Sequence, residues 1–110
     1  MTPAAFRKLA LSMPDAVELP HFQRTSFRAG KKIFATMTAD GREAMVPVRP
    51  LVRCFELLES NPEVFFSYGG WTERHGSLGI RLAKVDVKLL AGLVQDAWKR
   101  VAPKRKRSGA

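Results

Sequence analysis

The sequence has one cysteine and no long apolar run. Because Cys54 has no possible partner, an intrachain disulfide is excluded, and a reducing compartment suits the chain best. No segment approaches the ~20 consecutive apolar residues that a membrane span requires. The N-terminal segment contains Pro3 and the charged pair Arg7-Lys8, where a secretory signal requires an unbroken apolar run. We therefore expect a cytoplasmic protein.

The sequence also lacks recognisable catalytic and metal-binding patterns. His21 and His75 have no second His or Cys at ligand spacing, so no metal is predicted. The glycines form neither of the common phosphate-binding loops, and no cofactor is indicated. Ser77 lacks the G-x-S-x-G frame of a nucleophile elbow. Cys54 has no assignable base, and we interpret it as a small buried residue. The sequence therefore predicts a non-enzymatic protein.

Acidic residues are few beside the basic ones. The chain has 19 Lys and Arg against 10 Asp and Glu, which gives a formal net charge of +9. Residues 104–107 supply four of these charges, and residues 1–103 therefore keep a charge of +5. Such a basic body attracts polyanions, among them DNA, RNA and acidic membrane surfaces. A basic protein without a specific anionic partner is the alternative.

Three helices are predicted from end signals and apolar spacing. Thr2 caps the first helix, which ends at Pro14, and residues 14–20 are predicted as a loop. The second helix begins at Pro50, and the third is capped by Asp86. The three apolar faces comprise, in turn, Phe6, Leu9, Ala10 and Met13; Leu51, Val52, Phe55 and Leu58; and Leu89, Leu90, Leu93, Val94, Ala97, Trp98 and Val101.

Residues 21–48 alternate as two antiparallel hairpins that share a strand. The second hairpin turns at Asp40-Gly41, a strong two-residue turn signal. This turn pairs three sets of apolar residues on one face: Met37 with Ala44, Ala35 with Val46, and Ile33 with Val48. For the first turn we predict a three-residue loop, residues 29–31, which sets Phe27 opposite Ile33 on the apolar face. The opposite face then carries Arg24, Ser26, Arg28, Lys32, Phe34 and Thr36.

The second half of the chain supplies further strands. Residues 63–68 are predicted as a short aromatic strand, residues 69–76 as a loop and residues 77–83 as a strand. Trp71 is expected to cap the core, because Trp is highly buried on average, and the alternative is an exposed contact residue. The order of elements indicates an α+β fold, an antiparallel β-sheet with helices packed on one face. We expect a single domain over residues 1–103 and a basic, disordered tail over residues 104–110.

The cation-rich first hairpin is the best candidate site, and nucleic acid, DNA in the first instance, is its expected partner. Its cations can neutralise phosphates, and an exposed ring such as Phe34 or Phe22 can stack on a base. The predicted nucleic-acid-binding residues are Arg24, Arg28, Lys31, Lys32, Phe34, Arg74 and Arg81. The alternative is that these charges only solubilise and protect an exposed sheet.

Two other functions are possible from the sequence. In each case we expect the protein to be a monomer. The aromatic residues 64–71 could form an exposed apolar patch that binds a protein. A small-ligand or enzymatic pocket could lie near His21, His75 and Trp71, because both histidines flank loops, where sites often lie.

Taken together, these segments resemble the MmcQ/YjbR family of small bacterial proteins. The resemblance covers residues 1–104 and rests on His21-Phe22, Gly30-Lys31-Lys32-Ile33-Phe34-Ala35-Thr36, Pro62-Glu63-Val64-Phe65, Gly70-Trp71, Ile80-Arg81-Leu82, Ala97-Trp98 and Ala102-Pro103-Lys104. It implies a CyaY-like (frataxin-like) α/β sandwich and DNA binding by a double-wing arrangement of strands. On this chain, that role would map to Lys31 and Lys32.

The chain departs from the family's pattern at Arg49, which lies between two prolines, and in the loop of residues 72–79. Iron binding of the frataxin type needs an acidic ridge on the first helix. Here that helix carries Arg7 and Lys8 and has no carboxylate before Asp15, so iron binding is not expected.

Overall fold

A computed structural model describes residues 1–102 of the chain. The predicted basic tail, residues 104–110, lies outside the described residues. Within residues 1–102 the helices are α1 (Pro3–Leu11), α2 (Leu51–Ser60), α3 (Gly70–His75) and α4 (Val87–Val101). The strands are β1 (Ala16–His21), β2 (Arg24–Ala29), β3 (Lys32–Thr38), β4 (Glu43–Pro47), β5 (Phe65–Ser67) and β6 (Ser77–Arg81). None of these helices is long and apolar enough to cross a membrane.

The six strands form one antiparallel sheet in the order β1-β2-β3-β4-β6-β5. Helices pack against this sheet, which confirms the predicted α+β fold. One face carries the core, where the ring of Phe6 on α1 meets the ring of Phe27 on β2 edge-on at 5.9 Å. The other face, which we call the open face, is reached by the alternate residues of each strand, because side-chain direction reverses at every residue of a strand.

Helix α4 forms as its sequence predicts. Asp86 accepts a hydrogen bond from the Leu89 amide at 2.9 Å, and this satisfies one of the unpaired donors of the first turn. Four residues of the predicted stripe are fully covered by the sheet: Leu90, Leu93, Val94 and Ala97. The indole of Trp98 donates to the Pro14 carbonyl oxygen at 2.8 Å, and its ring packs against the core. Thr2 likewise caps α1, as predicted.

The predicted register of the first hairpin is wrong. Ala29 pairs with Lys32, so the turn has two residues, and the register shifts by one between Phe27 and Arg28. Phe27 consequently lies opposite Ala35, whereas Arg28 lies opposite Ile33. The shift is a β-bulge, in which two residues of one strand oppose one residue of its partner. The bulge buries the ring of Phe34, which is larger than the side chain of Ile33, and it turns Ile33 to the open face.

Other corrections concern segments whose structure depends on neighbours. The predicted loop of residues 14–20 contains most of β1, which forms an edge of the sheet, where Pro20 is tolerated. The predicted loop of residues 69–76 contains α3. On α2 the sheet covers Cys54, as predicted, and also Leu57, whereas Val52 and Phe55 of the predicted stripe are exposed. The apolar face of α2 is therefore rotated from the one that spacing indicates.

Candidate functional site

A groove of about 530 Å³ crosses the open face of the sheet. Its floor comes from β2, β3 and β4, one wall comes from α3, and the other comes from the turn between β1 and β2. The groove is lined by His21, Phe22, Arg24, Ile33, Thr36, Met45, Tyr68, Trp71, His75 and Ser77. Positions more than 50 residues apart in the chain thus share one concave surface.

Arg24 lies on the floor of this groove and is held by neutral groups. Its Nε donates to Thr36 Oγ1 at 3.1 Å, and its Nη2 donates to Tyr68 Oη at 2.9 Å. The guanidinium carbon lies 5.5 Å from the centre of the Tyr68 ring. These contacts fix the orientation of a long side chain before any ligand arrives.

Arg28 occupies the same open face and is fixed in a similar way. Its Nε donates to Ser26 Oγ at 3.0 Å, and Ser26 in turn donates to the Leu19 carbonyl oxygen at 2.9 Å. Nη2 of Arg28 lies 3.5 Å from His21 Nδ1. Because a guanidinium only donates, this contact requires His21 Nδ1 to be unprotonated.

In the part of the chain that the structure describes, no carboxylate forms an ion pair with either of these two guanidinium groups. Among residues 1–102, the ion pair that forms joins Arg7 and Glu18, on the opposite side of the sheet from Arg24 and Arg28. Burial raises the pKa of Tyr68, the neighbouring Arg24 guanidinium lowers it and Glu43 raises it again, with a net rise. The phenol therefore stays neutral at physiological pH and adds no negative charge beside Arg24.

Two large rings stand in solvent at the mouth of the groove. Phe22 is 94% exposed, and its backbone has a positive φ of 57°. Trp71 on α3 is 67% exposed, which shows that the expectation of a core position was wrong. Each ring contacts a histidine ring, with centroid distances of 4.8 Å from Phe22 to His21 and 5.5 Å from Trp71 to His75.

Helix α3 has only six residues, and hydrogen bonds to the sheet hold it in place. The buried Thr72 hydroxyl donates to the Ser77 carbonyl oxygen at 2.5 Å and accepts from the Tyr68 amide at 2.7 Å. Gly76 ends the helix in the left-handed conformation, and its carbonyl oxygen accepts from the Val48 amide at 2.8 Å. The wall formed by Trp71 and His75 is therefore anchored at both ends.

The predicted cations divide among different parts of the surface. Arg24 and Arg28 lie on the open face, whereas Lys31 lies in the hairpin turn and Lys32 lies opposite the buried Ala29, so both lysines are outside the groove. Arg74 lines a smaller depression beside Trp71. Arg81 lies 4.8 Å from the centre of the Phe66 ring and donates to backbone carbonyl oxygens, so its charge is directed to the far edge of the sheet.

The proposed stacking role of Phe34 is wrong, because its side chain has no exposed surface. The bulge in β3 brings the ring to the core side, and no ligand can reach it in the folded protein. Phe22, the other ring considered, lies at the groove instead. Tyr68 was missed as a site residue. Its alternation with Phe66 was the available signal, because two residues at this spacing share a strand face.

The structure also shows where the residues proposed for the two alternative functions lie. His21, His75 and Trp71 line the same groove, as a pocket near the histidines requires. In the aromatic segment 64–71, Phe65 is buried and Arg81 covers Phe66, so Trp71 is its large exposed ring. Within residues 1–102, no three His, Cys, Asp or Glu residues gather where they could hold a metal ion.

Comparison with known proteins identifies the family. The crystal structure of Deinococcus radiodurans protein DR2400, which carries a DUF419 domain, is similar to this fold, with a TM-score of 0.76. The two chains are 18% identical, and the similarity covers 99% of this chain and 94% of that one. No curated protein matches the sequence significantly. The YjbR family model matches residues 11–100, and because this match spans most of the chain, the protein belongs to the YjbR family.

Proposed function

We propose that this YjbR-family protein is a non-enzymatic, cytoplasmic nucleic-acid-binding protein that acts as a monomer, with DNA as its first expected ligand. The observation that carries the proposal is the pair Arg24 and Arg28. Both guanidinium groups lie on one open sheet face, and both donate hydrogen bonds to uncharged hydroxyl groups. Their charge is therefore available to an anion from outside.

The chemistry of the two arginines suits phosphate. A guanidinium carries five N–H donors, and each of these side chains uses two of them within the protein. The remaining donors can form charge-assisted bonds with phosphate oxygens, which are stronger than bonds between neutral groups. Because the side chains are already oriented, binding costs little of their conformational entropy.

Lys31 and Lys32 extend the positive surface to the tip of the β2–β3 hairpin. Both side chains are exposed. Flexible surface lysines act as point charges, and they contribute long-range attraction and phosphate contacts without base recognition. The net charge of +9 adds to this attraction, and the binding should therefore weaken with salt.

A salt titration tests the proposal. Fluorescence anisotropy of a labelled oligonucleotide should give a linear plot of log affinity against log salt, with a slope near −0.9 per duplex phosphate neutralised. The double variant Arg24→Gln/Arg28→Gln should flatten that slope by about 1.8, since two phosphate contacts are lost. Lys31→Ala/Lys32→Ala should flatten it by a similar or smaller amount.

Arg53→Gln provides the matched control. Arg53 is an exposed arginine on α2 that does not line the groove, so its loss changes net charge without changing the open face. Arg53→Gln removes one charge and the double variant removes two, so a slope change for Arg53→Gln of about half that of the double variant would mean that only net charge matters. Absence of any binding at low ionic strength would refute the proposal outright.

The groove also favours a second candidate function, the binding of a small ligand. His21, His75 and Trp71 line one cavity, whose volume of about 530 Å³ lies in the range of small-molecule sites, ~300–1,000 Å³. Calorimetric titration with mononucleotides tests this candidate directly. Tight binding of a mononucleotide without binding of any polynucleotide would favour it over the first proposal.

A further inference from the structure

We infer that the groove receives an unpaired base, so that the natural ligand is single-stranded nucleic acid. This inference rests on the proposed function and deepens it by naming the form of nucleic acid that is bound. The observations behind it are the two exposed rings, the groove between them and the position of Arg24 on its floor.

Phe22 is the first of these observations. A phenylalanine with a φ of 57° occupies a left-handed conformation that costs an L-residue free energy, and glycine or asparagine would fit there better. Its ring is also 94% exposed, so it contributes almost nothing to the core. Local strain kept together with an exposed apolar ring is typical of a binding position rather than a structural one.

Trp71 provides a ring on the other wall. It is 67% exposed, yet the helix that carries it is anchored through Thr72 and Gly76. The ring is therefore presented by a fixed support and loses little freedom on binding. Stacking of bases on exposed aromatic side chains is a common means by which proteins bind single strands.

The residues on the floor of the groove suit the base and the phosphate of a nucleotide. Ile33 and Met45 provide apolar surface for a base, and Arg24 provides unpaired positive charge for its phosphate. In a duplex, both faces of each base are covered by neighbouring base pairs. Rings at the mouth of a groove can reach the faces of unpaired bases only, because those bases can be unstacked and turned outward.

The experiment compares single strands with a duplex. We would measure the anisotropy of a short labelled oligothymidylate, the corresponding oligouridylate, and a duplex of equal length at one salt concentration. The single strands should bind more tightly than the duplex, and the DNA and RNA arms show which backbone is preferred. Quenching of tryptophan fluorescence on addition of the single strand should accompany binding.

Conservative variants separate stacking from simple apolar contact. Trp71→Ala and Phe22→Leu should each weaken single-strand binding about tenfold, whereas Trp71→Phe should keep most of the affinity and lose the quenching. Phe55→Leu is the control, because Phe55 is a 42% exposed ring on α2 outside the groove, and its loss should change nothing. The exposure of Phe22 and Trp71 means that these changes leave the core intact.

The outcomes distinguish the inference of single-strand binding from the proposed function of nucleic-acid binding. Salt-dependent duplex binding that needs Arg24 and Arg28 but is insensitive to Phe22 and Trp71 would overturn the inference and leave the proposed function standing. If none of the three oligonucleotides binds at low salt, both fail. Single-strand preference that depends on both rings supports both.

Discussion

Gly76 joins the end of α3 to the start of β6, and its replacement by alanine should destabilise the fold strongly. The residue has a φ of 68°, in the left-handed region where a Cβ atom is unfavourable. A Cβ atom built there would overlap the Val48 carbonyl oxygen and would lie 3.3 Å from Leu51 Cδ2. The overlapped oxygen belongs to the backbone, so it cannot move aside as the end of a flexible side chain would.

The expected loss can be worked out from these two effects. The left-handed conformation costs an L-residue roughly 1–2 kcal/mol. Overpacking of a well-filled site costs ~1–3 kcal/mol more, because the backbone must shift. The Val48 amide also bonds the Gly76 carbonyl oxygen, so a shift strains this bond as well. We therefore expect Gly76→Ala to lower the free energy of unfolding by about 2–5 kcal/mol.

Gly92→Ala should raise the free energy of unfolding, whereas Gly76→Ala should lower it, and it is therefore the matched control. Gly92 lies within α4, it is exposed, and a Cβ atom added there meets nothing within 4 Å. Glycine destabilises a helix interior by roughly 0.5–1 kcal/mol relative to alanine, so this variant should be more stable by about that amount. Urea unfolding, followed by circular dichroism, measures both changes.

The result that would refute this reasoning is a Gly76→Ala variant within ~0.5 kcal/mol of the unchanged protein, the usual range of neutral surface substitutions. Such a result would mean that the connection between α3 and β6 is not fixed. Equal slopes of unfolding free energy against urea are required for the comparison, since a changed slope indicates a changed unfolded or folded state.

Two further predictions concern single titratable side chains. Tyr68 is the only tyrosine in the chain, so absorbance at alkaline pH reports its phenol alone, and it should titrate above the ordinary tyrosine pKa because burial raises that pKa. Arg24→Gln should raise the Tyr68 pKa further, since Arg24 lowers it; a fall would contradict the contact. The raised pKa of the folded state also means that the contribution of this group to stability is present at neutral pH and is lost as the pH rises through the folded pKa. Cys54 is buried, and burial raises its pKa, so a thiol reagent should react slowly with the native protein and rapidly in urea; equal rates would show that α2 opens readily.

Much of the architecture follows from local patterns. The wide apolar stripe of α4 and its Asp86 cap specify a helix and the face that packs on the sheet. Met37 pairs with Ala44 as the Asp40-Gly41 turn signal indicates. These features were predictable because the helical and strand patterns continue there over enough residues to exclude other arrangements.

The candidate site was predictable in part. Arg24 and Arg28 are placed on the open face by simple alternation, which holds up to the bulge. Beyond it, the positions of Lys32, Ile33 and Phe34 could not be derived. Three adjacent apolar residues, 33–35, fit a longer loop as well as they fit a short turn with a bulge, and only core packing selects between them.

The sequence by itself determined the basic charge, the α+β fold and the cation-rich hairpin, because composition and periodicity are local properties. The tertiary structure alone decided which rings and charges meet. Helix α3 depends on Thr72 bonding to the sheet, since six residues are too few to form a stable helix unaided. That helix brings Trp71 and His75 to the groove that Phe22 and Arg24 also line, and no local pattern in the chain specifies this meeting.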